Sequence, residues 1–296
     1  MADLQDIKRE IKSVSNTQKT TRAMKLVSTA KLHKAKELTE RSKMFADKLN
    51  SIMSEIAGRL ECHSINEIPN RSFHLIDDPK VVDIVFVTAD KGLCGGFNLH
   101  TIKAIKRLLA EFENKNITVR LRGVGKKGVE FFKYNKIEML DEVINLSSKP
   151  DLERSDKFIS ASLNDFIAKK TDALYIIYNG YKNMLTQELH VNKILPIDPG
   201  LFHCEDPIHE PYLEVEAYDQ EVMLDSLTKK YVHTSMYFAL IDSVAAEHSA
   251  RMQAMDTATN NANEMVKSLN VKYNKARQAA ITTELIEIIS GVEAMR

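Results

Sequence analysis

The sequence predicts an α/β protein: a long antiparallel coiled coil made by its two ends, with a central α/β domain between them. Three observations predict it. Residues 1–57 contain neither glycine nor proline, and residues 212–296 contain only Gly291. Apolar residues near the C-terminus recur in alternating steps of three and four. The middle of the chain alternates β-rich and amphipathic runs, punctuated by most of the glycine and proline. A helix interior loses about 1 kcal/mol for Gly and about 3 kcal/mol for Pro, so ends that lack both are free to form single helices.

The N-terminal arm, residues 1–58, would span roughly 80 Å as one helix at about 1.5 Å per residue. It carries two seam pieces, Leu4, Ile7, Ile11 and Val14, then Ala35, Leu38, Ser42, Phe45, Leu49, Ile52 and Ile56. Between them SNTQKTTRAMK is polar and basic, and the expectation is that something outside the arm meets it. From Ile11 to Lys36 no acidic residue occurs, while Lys12, Lys19, Arg22, Lys25, Lys31, Lys34 and Lys36 are basic. That is either a solvated face or a positive collar for an acidic partner. A second basic cluster is Lys267, Lys272, Lys275 and Arg277.

The central domain covers residues 79–200. VVDIVFVTAD reads as a strand, KGLCGGFN as a glycine-rich turn, and NLHTIKAIKRLLAEFENK as an amphipathic helix. ITVRLRGVG is a second strand and KKGVEFFKYNK a short helix. LERSDKFISASLNDFIAKK is a further helix, and ALYIIYNGY and QELHVNKILPI are strands. Such alternation builds a largely parallel, Rossmann-like sheet. Residues 59–78 and 201–211, with Pro69, Pro207 and Pro211, read as connectors.

The C-terminal arm, residues 212–296, holds the clearest pattern. Its seam runs Leu224, Leu227, Tyr231, Thr234, Phe238, Ile241, Ala245 and His248. It continues through Met252, Met255, Thr259, Ala262, Val266, Leu269, Tyr273, Ala276 and Ala280. A 3.5-residue repeat is the signature of a left-handed coiled coil. The arm could reach roughly 120 Å, and its tip would outrun the N-terminus by roughly 40 Å. The tip, AAITTELIEIISGVEAM, is too apolar to stand in water, so an external surface is expected to enclose it.

Catalytic chemistry is hard to find. Gly123-Val-Gly125-Lys-Lys-Gly128 satisfies G-x-G-x-x-G after a strand, and Glu142 could serve as a ribose-binding acid. The helix that follows is short, however, and Lys126 and Lys127 are atypical, so a plain strand-to-helix turn is the better reading. Gly92, Gly95 and Gly96 could cradle an anion, but no Walker motif occurs. Cys94 lacks a His or Asn partner pattern for a nucleophile. His203, Cys204, Glu205, Asp206 and His209 have metal-binding chemistry without a second half-site. No catalytic residue, cofactor or metal is expected.

Lys plus Arg equals Asp plus Glu at 41 each, which does not argue for nucleic acid. Cys62, Cys94 and Cys204 fit a reducing compartment rather than a disulfide framework. The N-terminus is too charged for a secretory signal, and no apolar run is long enough to span a bilayer. Any membrane association is therefore expected through partners.

Three stretches resemble one family. IKSVSNTQKTTRAMKLVSTAKL is similar to the opening helix of F-type ATP synthase gamma subunits. ADKGLCGGFN is similar to their central turn, with Lys91 where Arg is usual. EHSARMQAMDTATNNANEM and YNKARQAAITTELIEIISG resemble their C-terminal helix, departing at Val292, where Ala is usual. Without a chloroplast-type cysteine pair or a transit peptide, the resemblance is to a bacterial form. It implies a non-catalytic rotor shaft at the cytoplasmic face of the inner membrane, coupling ion flow to ATP synthesis. The implied partners are the alpha and beta subunits of an alpha3–beta3 ring, the epsilon subunit and the membrane c ring. By motif match, Met24, Lys25, Arg277, Gln278, Thr282 and Glu284 would face the ring. Two other classes stay open: a non-rotary coiled-coil scaffold, separable by subunit stoichiometry, and a dinucleotide-binding enzyme, separable by cofactor titration.

Overall fold

The computed structural model describes residues 2–62, 70–197 and 217–295. Pro69, Pro207, Pro211 and the His203–His209 cluster lie outside the described residues. Helix α1 runs Ala2–Cys62 and helix α5 runs Ala217–Glu293, 61 and 77 residues without interruption. Contacts divide the chain into two units, residues 1–29 with 251–296, and residues 30–250.

The larger unit is built on a five-stranded sheet in the order β3-β2-β1-β4-β5. The strands are β1 (Val81–Val87), β2 (Thr118–Val124), β3 (Asp141–Val143), β4 (Ala173–Tyr181) and β5 (Gln187–Leu195). The first four are parallel, and β5 returns antiparallel on β4 through a tight hairpin. In that hairpin the Asn183 side chain accepts the Leu185 and Thr186 amides at 2.9 and 2.8 Å. Helices α2 (Phe97–Asn114), α3 (Lys126–Tyr134) and α4 (Leu152–Ile167) complete the unit.

Side chains of a strand alternate between faces, and β1 shows why both faces are apolar. Val82, Ile84 and Phe86 pack with Ile102, Ile105 and Phe132 of α2 and α3. Val85 and Val87 pack on the other face with Phe158, Leu163 and Phe166 of α4, Leu49 and Met53 of α1, and Val232, Met236 and Leu240 of α5. A parallel sheet buried on both faces reads as a continuous apolar run, which is the pattern of VVDIVFV. The one interruption, Asp83, is fully buried. It takes two hydrogen bonds from Arg120 at 2.6 and 2.9 Å, and Arg120 and Arg122 each reach Asp165 of α4 at 2.6 Å. Ahead of β1, Asn70 caps the 3₁₀ turn Arg71–Phe73. Arg71 then clamps the α4–β4 corner through Asp172 at 2.6 Å and the carbonyls of Phe166 and Thr171.

In the smaller unit the seam of α5 is as the spacing predicts. Met255, Thr259, Ala262 and Leu269 are buried, and Val266, Tyr273, Ala276 and Ala280 are half-buried. Leu4, Ile7, Ile11 and Val14 of α1 are half-buried at the expected positions. The SNTQKTTRAMK stretch is met from outside the arm, as expected: Gln18, Thr21 and Lys25 pair across to α5. Two expectations are corrected. In the second seam piece of α1, which lies in the larger unit, Ala35 and Leu49 are buried and Ser42 and Ile56 half-buried as predicted, but the alternate positions are one off: Thr39, Ala46 and Met53 are buried, whereas Leu38, Phe45 and Ile52 are exposed. The apolar overhang is also shorter. The pairing register brings Thr21 opposite Thr259, and every described residue from Ile281 onward is exposed. That leaves about 22 Å of uncovered helix rather than roughly 40 Å.

Candidate partner-binding surface

Three polar contacts fix how α1 and α5 meet within the smaller unit. Gln18 Nε2 donates to Asn263 Oδ1 at 2.5 Å, the Thr21 and Thr259 hydroxyls meet at 2.7 Å, and Lys25 Nζ donates to Asp256 Oδ1 at 2.6 Å. The numbers fall on one helix as they rise on the other, so the pair is antiparallel. Polar residues at seam positions cost stability and specify register. A slip by one turn would leave Thr21 and Thr259 without their partners, whereas an all-apolar seam would tolerate it.

The six residues assigned by resemblance fall into two groups. Lys25 is committed to Asp256, with 38% of its side chain still exposed, and Met24 beside it is half-buried. Arg277, Gln278, Thr282 and Glu284 are exposed, and the Thr282 hydroxyl is tied to the Gln278 carbonyl at 2.9 Å. The basic residues Lys12, Lys19 and Arg22 are exposed too. Sequence reasoning missed Leu26 and Val27, which are 64% and 56% exposed next to Met24. Their signal was register: with the seam at 18, 21, 25 and 28, both fall off it.

Beyond Ala280 the apolar residues have no cover. Ile281, Leu285, Ile288, Val292 and Met295 follow steps of four and three along one face, and Ile286 and Ile289 broaden it. All seven are at least 49% exposed. Contiguous apolar surface of this kind marks a contact site.

The glycine-rich turns have been put to other uses than ligand binding. At Gly123–Gly128 each amide that could hold a pyrophosphate already has an acceptor from the chain itself. Gly125 N–H donates to Val143 O at 2.9 Å, Lys126 N–H to Asp90 Oδ1 at 3.0 Å, Lys127 N–H to Ala89 O at 3.1 Å, and Gly128 N–H to Thr88 Oγ1 at 3.0 Å. Gly125 sits at φ 98°, and a Cβ there would collide with the Thr88 carbonyl. Glu142 pairs with Lys133 at 2.5 Å. Asp90 stands where an anion would: it also accepts the Asn145 and Ser148 amides and the Ser147 hydroxyl at 2.8 to 3.0 Å. Burial raises its carboxyl, but these four donors together outweigh that and hold it below the usual carboxylate range.

Open α/β sheets bind ligands where connections diverge to opposite sides at the strands' C-terminal ends. Here that point lies between β1 and β4, and the protein fills it. Cys94 and Phe97 from the ADKGLCGGFN turn pack with Ala89 of the β1 end, Ala246 and Ala250 of α5, and Tyr181. Asn98 ties the turn together, accepting Ala89 N–H at 2.9 Å and donating to Cys94 Sγ at 3.3 Å. Asp242 of α5 accepts the Tyr181 amide at 3.0 Å. Burial raises the Asp242 carboxyl, opposed by that amide and by the charges of His190 and Lys43. The turn is a bracket that seats α5 on the sheet.

Comparison with known proteins follows the same lines. The family model described as ATP synthase matches residues 3–295. The ATP synthase gamma chain of Sulfurimonas denitrificans is 68% identical over 296 residues, covering all of both chains. That of Nitratiruptor is 55% identical and one from Campylobacter jejuni 53%, again over the full length of each. Among solved structures, a central stalk/c-ring structure of Tetrahymena thermophila mitochondrial ATP synthase superposes with a TM-score of 0.60 at 24% identity. It covers 81% of this chain and 99% of that one. The rotor of the Euglena gracilis mitochondrial enzyme gives 0.64 at 16% identity, covering 95% and 99%. At these identities the structural matches speak for the fold.

Proposed function

The chain belongs to the ATP synthase gamma-chain family, and from that premise we propose how it works as the central rotor shaft of the complex. The fold supplies a helix pair with a fixed register, an α/β unit that grips α5, and an apolar helix end. The shaft sits within the alpha3–beta3 ring and connects it, with the epsilon subunit, to the membrane c ring. A single asymmetric chain inside a threefold ring cannot touch three copies alike. Unequal contacts bias each copy toward a different state, so turning the shaft cycles nucleotide affinity around the ring.

The observation that carries this reading is the exposed apolar face from Ile281 to Met295 at the end of the seam. A sleeve of partner subunits would cover it. The exposed Arg277, Gln278, Thr282 and Glu284 would meet the same sleeve, and Met24 and Lys25, with Leu26 and Val27, would meet the ring from α1. The Lys25–Asp256 pair is half-exposed, so opening it toward a partner would cost at most about 1 kcal/mol. Residues 1–58, 79–200 and 212–296 would then act as inner shaft helix, docking domain and outer shaft helix.

The shaft itself is non-catalytic. Its glycine-rich turns are occupied by Asp90, Cys94 and Phe97, and nucleotide chemistry would belong to the ring. No helix among the described residues is long and apolar enough to cross a membrane. Attachment at the cytoplasmic face would therefore run through partners. Reconstitution of alpha and beta subunits with and without the chain tests the proposal. One copy per three alpha–beta pairs and a chain-dependent ATPase are expected; equal copy numbers would favour a static scaffold.

A further inference from the structure

Asp242 is more buried than its hydrogen bonds explain. It is 5% exposed, and a carboxylate at that depth needs donors for both oxygens. Oδ1 accepts the Tyr181 amide at 3.0 Å. Among the described residues no donor reaches Oδ2. The side chain lines a cavity of about 690 Å³ walled by α1, β4, β5 and α5, and Oδ2 stays open to it. Gly180 of β4 makes this corner possible: a Cβ there would collide with Asp242 Oδ2 and with the His190 ring. A carboxylate from α5 and an imidazole from β5 thus lean over one glycine, and a glycine inside a strand often marks such a close approach. The His190 ring stacks on Tyr178 with centroids 5.0 Å apart, and among the described residues it makes no hydrogen bond. Tyr178, Tyr231 and Phe238 give the cavity an aromatic lining. Asn192 holds the Tyr178 hydroxyl and Ser235 the Tyr231 hydroxyl, so both phenol rings are fixed.

We propose that this cavity binds a small organic monoamine, whose ammonium donates to Asp242 Oδ2 while its apolar body lies against the aromatic lining. The size fits: small-molecule sites enclose about 300–1,000 Å³, with apolar and aromatic walls and a few placed polar groups. Charge selects the sign of the ligand. Asp242 is the most buried charged residue of the lining. An anion at that depth would meet an unneutralised carboxylate, whereas an ammonium is drawn to it and to the faces of the rings. The lysines of the cavity are less committed to its floor. Lys43 and Lys182 are exposed, and Lys182 is paired with Glu188 at 3.2 Å. A metal ion is poorly served, since no three His, Cys, Asp or Glu side chains among the described residues could hold one. A water alone would satisfy Oδ2 and leave the aromatic lining uncovered. An occupant touching α1, β5 and α5 would tie the sheet to both long helices and stabilise the unit by mass action. The assignment does not depend on the rotor reading.

The test titrates the full-length chain with tyramine, 4-ethylphenol and 3-(4-hydroxyphenyl)propionate, which share a phenol body and end in an ammonium, a methyl group and a carboxylate. Calorimetry at neutral pH should give one site, with tyramine at least tenfold tighter than either of the others. Asp242→Asn keeps an acceptor for the Tyr181 amide; it should weaken tyramine at least tenfold and leave 4-ethylphenol unchanged. Lys43→Ala removes a like charge and should tighten tyramine. Circular dichroism checks the fold of each variant, and the Tyr178 and His190 ring resonances should shift when tyramine binds. Equal affinity for the three probes, a tyramine affinity unmoved by Asp242→Asn, ring resonances that stay in place, or no binding at millimolar concentration overturns the proposal.

Discussion

Asp90 shows at the scale of one residue how the Gly123–Gly128 turn is satisfied from within the chain. Its carboxylate gathers donors from the start of α3 and from residues 145–148, so Asp90→Ala should lower the melting temperature and leave phosphate affinity unmeasurable. A carboxyl held below its unfolded value stabilises the fold above that value, and the contribution is lost as pH falls through the folded value. Asp90, Asp165 and Asp172 are all lowered, so urea midpoints should fall together as pH drops below about 4. Asp242 is raised by burial and runs the other way: the fold loses stability as pH climbs from the unfolded value through the folded one. Asp242→Asn keeps an acceptor for the Tyr181 amide. It should stabilise the protein at pH 7, with the gain vanishing near pH 4; a gain that grows toward low pH would refute the assignment. Cys94→Ala removes a buried sulfur and no chemistry, so loss of coupling in a normally assembled complex would contradict the structural role.

Among the elements, the long helices were the most legible and the most instructive. The α5 seam could be read because its apolar positions form an unbroken 3–4 series. Beyond Ala35 the α1 seam was read one position off at every second step, because Leu38, Phe45 and Ile52 look more core-like than Thr39, Ala46 and Met53, while Ser42, Leu49 and Ile56 stand as read. Only the partner's position decides which stripe is buried. The polar stretch at 15–25 was legible as polar and as met from outside the arm, but not its partner residues, since the hydrogen bonds to Thr259 and Asn263 span more than 230 residues. The strand–helix alternation of the middle came through, and three-residue β3 did not, because pairing with Arg122–Val124 rather than composition makes it a strand. Leu269 is 5% exposed in the seam. Leu269→Ala should cost about 2–5 kcal/mol, and Leu269→Asp should abolish amide protection across residues 251–280. Retained protection would remove the coiled-coil pairing. A double-mutant cycle on Lys25 and Asp256 should give no more than about 1 kcal/mol of coupling, shrinking with salt.

For the molecule as a whole, the proposed function rests on the asymmetry of a single shaft within a threefold ring. The residues assigned to partner contact came only from family resemblance. Nothing in the spacing of Arg277, Gln278, Thr282 or Glu284 separates them from any solvated helix face, and their exposure agrees with contact without naming the contact. The apolar tip was legible from composition, and the helix pairing now sets its length. The decisive measurement is single-molecule rotation. A probe on Lys106→Cys, which lies on the exposed face of α2, is followed in a surface-held complex whose other cysteines are replaced by alanine. ATP should turn the probe in one direction with three pauses per revolution. Continued ATP hydrolysis beneath a stationary probe would contradict the account.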